Sequence, residues 1–163
     1  EIAYAPRTEN YHYEMELVFA LKSGGTNIAQ DEALSHIYGC AAGLDMTRRD
    51  LQNKAKENRK PWDTAKDVDE SAVITPLRQM ADVPSVGAGR IHLSHNGTVK
   101  QDADLSEMVW SVPEIIADLS TMYTLQQGDV IYMGTPAGVG AVARGDVLTG
   151  GVEGIGDFEV KII

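Results

Sequence analysis

The stretch "NYHYEMELVFAL", Asn10 to Leu21, alternates like a β-strand yet carries two glutamates two positions apart. Side chains on a strand point to opposite faces with period two. Tyr11, Tyr13, Met15, Leu17, Phe19 and Leu21 therefore share an apolar face, and His12, Glu14, Glu16, Val18 and Ala20 share the other. At roughly 3.3 Å per residue, Glu14 and Glu16 stand about 7 Å apart on that second face. Like charges this close repel, and a carboxylate buried alone is costly. A solvated face resolves the conflict, as antiparallel strands often have one wet side. A bound cation resolves it too, and Val18 and Ala20 suggest that the same face is covered further along. From this stretch alone both readings stay open.

The chain has 163 residues, the size of one domain, and enough length to bury a sizeable core. With 43% hydrophobic and 23% charged residues, its composition is that of a soluble globular protein. A net charge of −10 argues against nucleic acid, whose binders need basic patches. No apolar run reaches membrane-spanning length, and no signal peptide opens the chain. Cys40 is the single cysteine, which excludes an internal disulfide and suits a reducing cytoplasm.

Around the opening strand the pattern reads as one β-rich α+β domain over residues 1–163. "QDEALSHIY" (Gln30–Tyr38) is a short helix candidate, and "GCAAGLDMT" (Gly39–Thr47) a buried strand. Thr47 stands as an N-cap, with Asp50 in the capping-box position, for the helix "RRDLQNKAKEN". Arg90 to Gln101 reads as a hairpin about Asn96-Gly97, the preferred type I′ pair. Pro113 opens a helix running to about Tyr123, and the last forty residues alternate short strands with glycine turns.

"GVGAVA" (Gly138–Ala143) imitates a dinucleotide fingerprint, but strand and turn follow it where a helix is required. "MGTPAGVG" (Met133–Gly140) is better read as a glycine turn whose backbone N–H groups can meet an anion. Arg48 and Arg49 are unfavourable in a first helical turn. One of them either pairs with a nearby acid, reaches solvent, or binds an anionic group. Lys66, among Asp63, Asp67, Asp69 and Glu70, reads by itself as a solvated ion pair. The four histidines show no zinc spacing, and the acids favour Mg²⁺, Mn²⁺ or Ca²⁺ over zinc.

Four stretches in this order, "HYEMEL", "GLDMTRRDLQ", "PWDTAKDVDESA" and "GDVIYMGTPAGVG…GDVLTGGVEGIGDFEVKI", resemble the fumarylacetoacetate hydrolase family over nearly the whole chain. The nearest likeness is to its bacterial acylpyruvate hydrolases. The resemblance implies a mixed β-roll or sandwich with a few short helices. It implies a divalent cation, Mg²⁺ or Mn²⁺ with Ca²⁺ as a substitute, on Glu14, Glu16 and Asp45. Arg49, Gln52 and Thr135 match substrate-contacting positions. Lys66 matches a lysine that stabilises enolate-like charge. The implied substrate is a small keto acid, and the implied reaction is hydrolysis of a C–C bond in an acylpyruvate such as fumarylpyruvate. Keto–enol isomerase, oxaloacetate-type decarboxylase and a catalytically impaired binding member are the alternatives. A cytoplasmic homodimer is expected. The family's His–Glu water-activating pair lies in a lid upstream of the region matching Glu1, so a catalytic domain without that lid is expected. Met133 stands where the family often has a hydroxyl residue.

Overall fold

The computed structural model describes residues 1–163. The chain opens with β1 (Tyr11–Tyr13), β2 (Met15–Leu21), β3 (Ile37–Asp45) and β4 (Thr47–Arg48), then α1 (Arg49–Glu57) and α2 (Asp63–Lys66). Strands β5 (Ala72–Ile74) and β6 (Arg78–Gln79) lead to the hairpin β7 (Arg90–His95) and β8 (Thr98–Asp104). After α3 (Val112–Met122) come β9 (Val130–Tyr132), β10 (Gly140–Ala141), β11 (Val147–Val152) and β12 (Gly156–Lys161).

These strands form three antiparallel sheets, ordered β5-β3-β2-β9 with β6 also on β3, β12-β11-β7-β8, and β10-β1-β4. The β-rich α+β class expected from the sequence is the one observed. No helix is long and apolar enough to cross a membrane.

Asn10–Leu21 is not one strand. It breaks at Glu14, because His12 pairs with Thr47 and Ala141 in one sheet while Met15 pairs with Leu44 in another. The chain thus changes sheets at Glu14. Every residue of β2 is buried, Val18 and Ala20 included, so the glutamate face is covered. Tyr11, Phe19, Met15 and Leu17 fill the core from the opposite side.

Two helical expectations are corrected. Gln30–Tyr38 holds only a 3₁₀ turn, Ala33–His36, because Ile37 and Tyr38 already belong to β3. Thr47 is not an N-cap: it pairs with His12 in β4, and its hydroxyl donates to the Asp45 carbonyl. Asp50 closes no capping box and accepts instead from Thr8 Oγ1 and the Glu9 N–H. The later expectations hold. Asn96 and Gly97 both have positive φ, as a type I′ turn requires. Ser111 and Glu114 form a capping box at the start of α3. No helix follows "GVGAVA".

The β7–β8 register shifts between Leu93 and Ser94, which pair with Gln101 and Val99 respectively. Lys100 is the extra residue of a bulge, and such bulges re-aim neighbouring side chains. Gln101 is turned fully into the core. Gly138 packs on the back of the bulge with φ +103, and a Cβ there would lie 2.0 Å from the Lys100 carbonyl oxygen. Gly128 has a similar φ of +92 but open space around it. Gly128→Ala should therefore cost only the left-handed strain, about 1–2 kcal/mol. Gly138→Ala adds a backbone collision and should cost at least about twice as much. Urea unfolding of the two variants gives the comparison, and equal costs would refute the close packing of this turn on the bulge.

Candidate metal centre

Three elements bring three carboxylates together. Glu14 lies at the β1–β2 break, Glu16 on β2, and Asp45 at the end of β3. The antiparallel register sets Glu16 opposite Gly43, and the Asp45 N–H donates to the Glu14 carbonyl at 2.9 Å. Each acid offers an oxygen lying within 4.8 Å of the other two. Glu16 is 3% exposed and Glu14 7%, so water cannot dilute the repulsion. Burial pushes Glu16 up to about 7, against the pull of the Gly134 N–H, and the charges of Asp45 and Glu14 push the same way. Burial likewise raises Asp45, with Lys66 opposing.

Two cations answer these charges. Lys66, the last residue of α2, donates from Nζ to Glu14 Oε2 at 2.6 Å and to Asp45 Oδ2. Burial acts to lower the Lys66 pKa, but hydrogen bonds to Asp45 and Glu14 outweigh it and raise it. Arg49 donates from Nη2 to Glu14 Oε1 and from Nη1 to Gln52 Oε1 at 2.6 Å. Its Nε faces His12 Nδ1 at 3.5 Å, and His12 Nε2 meets Asn10 Oδ1 at 2.8 Å. That network assigns the neutral tautomer with the proton on Nε2. Burial, and then the Arg49 charge, lower the His12 pKa in agreement.

The adjacent arginines divide their work. Arg48 turns inward and donates to the carbonyl oxygens of Pro6, Thr64 and Asp67, tying down the segment that carries Lys66. Arg49 turns to the acids. The solvated reading of Lys66 is corrected: its partners are Glu14 and Asp45, not the acids beside it in sequence.

The glycine turn does meet an anion, and that anion is Glu16. With φ +92, Gly134 aims its N–H at Glu16 Oε2, 2.6 Å away. Thr135 is held from behind by Gln101, whose Nε2 donates to Thr135 Oγ1 and the Pro136 carbonyl, both at 2.8 Å. Gln101 Oε1 accepts the Met15 N–H at 3.1 Å, which joins the turn to the start of β2. Glu14, Glu16, Asp45, Arg49, Gln52, Lys66 and Thr135, all singled out from sequence, line one cleft of about 450 Å³. The donor set is all-oxygen, without imidazole or thiolate, and suits a hard divalent cation.

This α+β chain of antiparallel sheets belongs to the fumarylacetoacetate hydrolase family. The C-terminal region of fumarylacetoacetate (FAA) hydrolase matches residues 1–163. The chain is 52% identical to a fumarylpyruvate hydrolase of Ralstonia sp over 161 residues, 99% of this chain and 83% of that protein. It is 34% identical to a mitochondrial oxaloacetate tautomerase of Rattus norvegicus, covering 98% of this chain and 76% of that one. Among solved structures it superposes on fumarylpyruvate hydrolase from Pseudomonas aeruginosa in complex with Mn²⁺ and pyruvate. The TM-score is 0.97 at 42% identity, covering 100% of this chain and 70% of that one.

Sequence reading missed Gln101, Lys56, Trp62 and Tyr132. Lys56, Trp62 and Tyr132 complete the cleft lining, and Gln101 stands behind it. Lys56 had an available signal, because Arg49, Gln52 and Lys56 fall at i, i+3 and i+7 of one helix face. Gln101 had none, since its inward turn depends on the bulge.

The raised Glu16 pKa fixes a sign. In the metal-free protein, folding favours protonated Glu16 between its ordinary value and about 7, so this group's stabilisation fades as pH rises through 7. Glu16→Gln keeps the shape and the acceptor for the Gly134 N–H but cannot ionise. Without metal, E16Q should melt above wild type at pH 8, and the gap should close towards pH 5. Thermal unfolding in chelator checks this, and a lower melting temperature at pH 8 would contradict it.

Proposed function

We propose that this chain hydrolyses a C–C bond of an acylpyruvate, fumarylpyruvate foremost, with Mg²⁺ or Mn²⁺ held by Glu14, Glu16 and Asp45. The observation that carries the reading is the meeting of these carboxylates with Arg49 and Lys66 in one cleft. The 52% identity to a fumarylpyruvate hydrolase, and the likeness to a structure holding Mn²⁺ and pyruvate, support it. Ca²⁺ fits the same oxygen donors as a substitute.

A divalent cation bound there supplies Lewis acidity towards a chelated keto acid. With the carboxylates neutralised, Arg49 and Lys66 turn their N–H groups to the substrate. Arg49, braced by Gln52, grips the keto-acid carboxylate with paired hydrogen bonds. Thr135, positioned by Gln101, touches the bound acid. Water adds to the acyl carbonyl carbon, and the bond from that carbon to the neighbouring methylene breaks. The bonding pair becomes the enolate of pyruvate, which then takes a proton, and the acyl half leaves as a carboxylic acid. Lys66 donates to the oxygen on which that charge grows.

Oxaloacetate tautomerisation is the second reading, supported by the 34% relative. A decarboxylase or a catalytically impaired binding member would share the same carboxylates. Product analysis separates them: fumarate plus pyruvate from fumarylpyruvate supports hydrolysis, whereas enol–keto conversion of oxaloacetate alone supports the tautomerase. The same reading takes the enzyme as a cytoplasmic homodimer. The single cysteine supports the location, and sheets that end in edge strands support the dimer. A monomer mass by light scattering at micromolar concentration would refute the dimer.

Binding of Mn²⁺ requires ionised Glu16, so affinity should fall as pH drops below about 7, with a proton released on binding. Calorimetry in two buffers of different ionisation enthalpy measures that proton, and E16Q should bind no Mn²⁺ at all. Arg49 contributes mainly ground-state binding, so Arg49→Ala should raise KM more than it lowers kcat. Lys66 acts on developing charge, so Lys66→Met should lower kcat by about 10²–10³. Near-wild-type kinetics in both variants would sink these assignments.

A further inference from the structure

The cleft holds three cationic side chains, and one is uncommitted. Arg49 and Lys66 are engaged by Glu14 and Asp45. Lys56, in the last turn of α1, lines the same cleft and forms no ion pair. Its Nζ lies over the Trp62 ring, 4.7 Å from the centroid. A cation over an indole face is held in place while its N–H groups stay available. Arg49, Gln52 and Lys56 form one stripe of α1 leading outward from the carboxylates.

We propose that Lys56, steadied by Trp62, reads a second carboxylate at the far end of the substrate and selects dicarboxylic over monocarboxylic acylpyruvates. The inference rests on the keto-acid chemistry proposed for this cleft. Charge balance supports it. The three carboxylates offset Arg49, Lys66 and Lys56, so a bound divalent cation leaves an excess of two positive charges. A substrate with two carboxylates matches that excess, and one with a single carboxylate leaves half of it unanswered. The alternative path for the acyl tail is unsuited to an anion. Across the Gly134–Thr135 turn lies a larger cavity of about 740 Å³, but Asp102, Asp104, Glu107 and Asp118 line it and repel a carboxylate. An anionic tail is therefore driven along α1 towards Lys56.

The test uses Lys56→Met, which keeps the stem and removes the charge, and Lys56→Arg, which restores a cation. Lys56 is exposed, so neither variant threatens the fold. With fumarylpyruvate, K56M should raise KM about five- to tenfold with kcat within about twofold, and K56R should recover most of the loss. With acetylpyruvate, K56M should change kcat/KM by less than about twofold. Equal losses on both substrates, or no loss on fumarylpyruvate, would overturn the proposal. Calorimetry of the Mn²⁺-loaded protein provides a readout without turnover. Kd for 2-oxoadipate should weaken about five- to tenfold in K56M, while Kd for pyruvate stays unchanged. Wild-type protein that binds 2-oxoadipate no tighter than pyruvate also overturns the proposal. If wild type cleaves neither acylpyruvate but the calorimetric pattern holds, the hydrolase reading falls and the Lys56 site stands.

Discussion

Three carboxylates sharing one buried corner repel each other, and the surrounding structure is organised by that repulsion. Glu16 sits on a strand buried along its whole length, where an isolated charge is costly. Its relief comes from the Gly134 N–H and from protonation near neutral pH. Glu14 and Asp45 find theirs in Lys66 and Arg49. The acids are thus held ready, with side-chain cations occupying the role that a divalent ion would take. Such a cluster exchanges one set of positive charges for another when metal binds. On the proposed reading, the displaced lysine and arginine would then already stand beside the substrate.

Rigid backbone sets the acids in place. Glu16 is fixed by the β2–β3 ladder, and Asp45 by the end of the same ladder together with the Glu14 carbonyl. The change of sheet at Glu14 turns that carboxylate to where Arg49 and Lys66 both reach it. A Cβ on Gly43 would lie 2.6 Å from Val18 Cγ2 and 2.7 Å from the Val73 carbonyl oxygen. Glycine therefore lets three strands close together directly behind the site. The second support is Gln101, one side chain that bonds β2 on one side and the Thr135 turn on the other. An amide there suits the task, since it donates twice and accepts once without adding charge to a crowded corner.

The β-rich class, the hairpin and α3 were legible in the sequence because each leaves a local pattern, whereas the seven cleft residues came together only through the family motifs. Period-two alternation exposed Glu14 and Glu16 as a pair, although it drew one strand where the chain changes sheets. Sheet exchange is a tertiary event, driven by the separate pairing of His12 with Thr47 and of Met15 with Leu44, partners far away in the sequence. Thr47 misled for a related reason: its capping pattern is sound locally, but strand pairing with His12 claimed its backbone first. Lys66 was misread from composition alone, since its sequence neighbours are acids that it does not touch. Gln101 was invisible, because a one-residue bulge reverses the face on which a strand residue falls.

The two arginines at the β4–α1 junction show how one short segment serves both fold and site. Arg48 spends its guanidinium on backbone carbonyls, a use that neutralises no acid but immobilises α2. That immobility matters because α2 has only four residues, too few to hold Lys66 by its own helical hydrogen bonds. Arg49, one residue on, points to the acids along with Gln52 and Lys56. Arg48 ends a strand and Arg49 begins a helix, so the change of backbone between them sends the two side chains to different partners. Exposure grades outward from the acids: Glu14 is nearly sealed, Arg49 and Gln52 are braced by each other, and exposed Lys56 lies against an aromatic ring. On the proposed reading, chemistry that needs fixed geometry would sit at the buried end, and discrimination between substrate tails would fall to the exposed end.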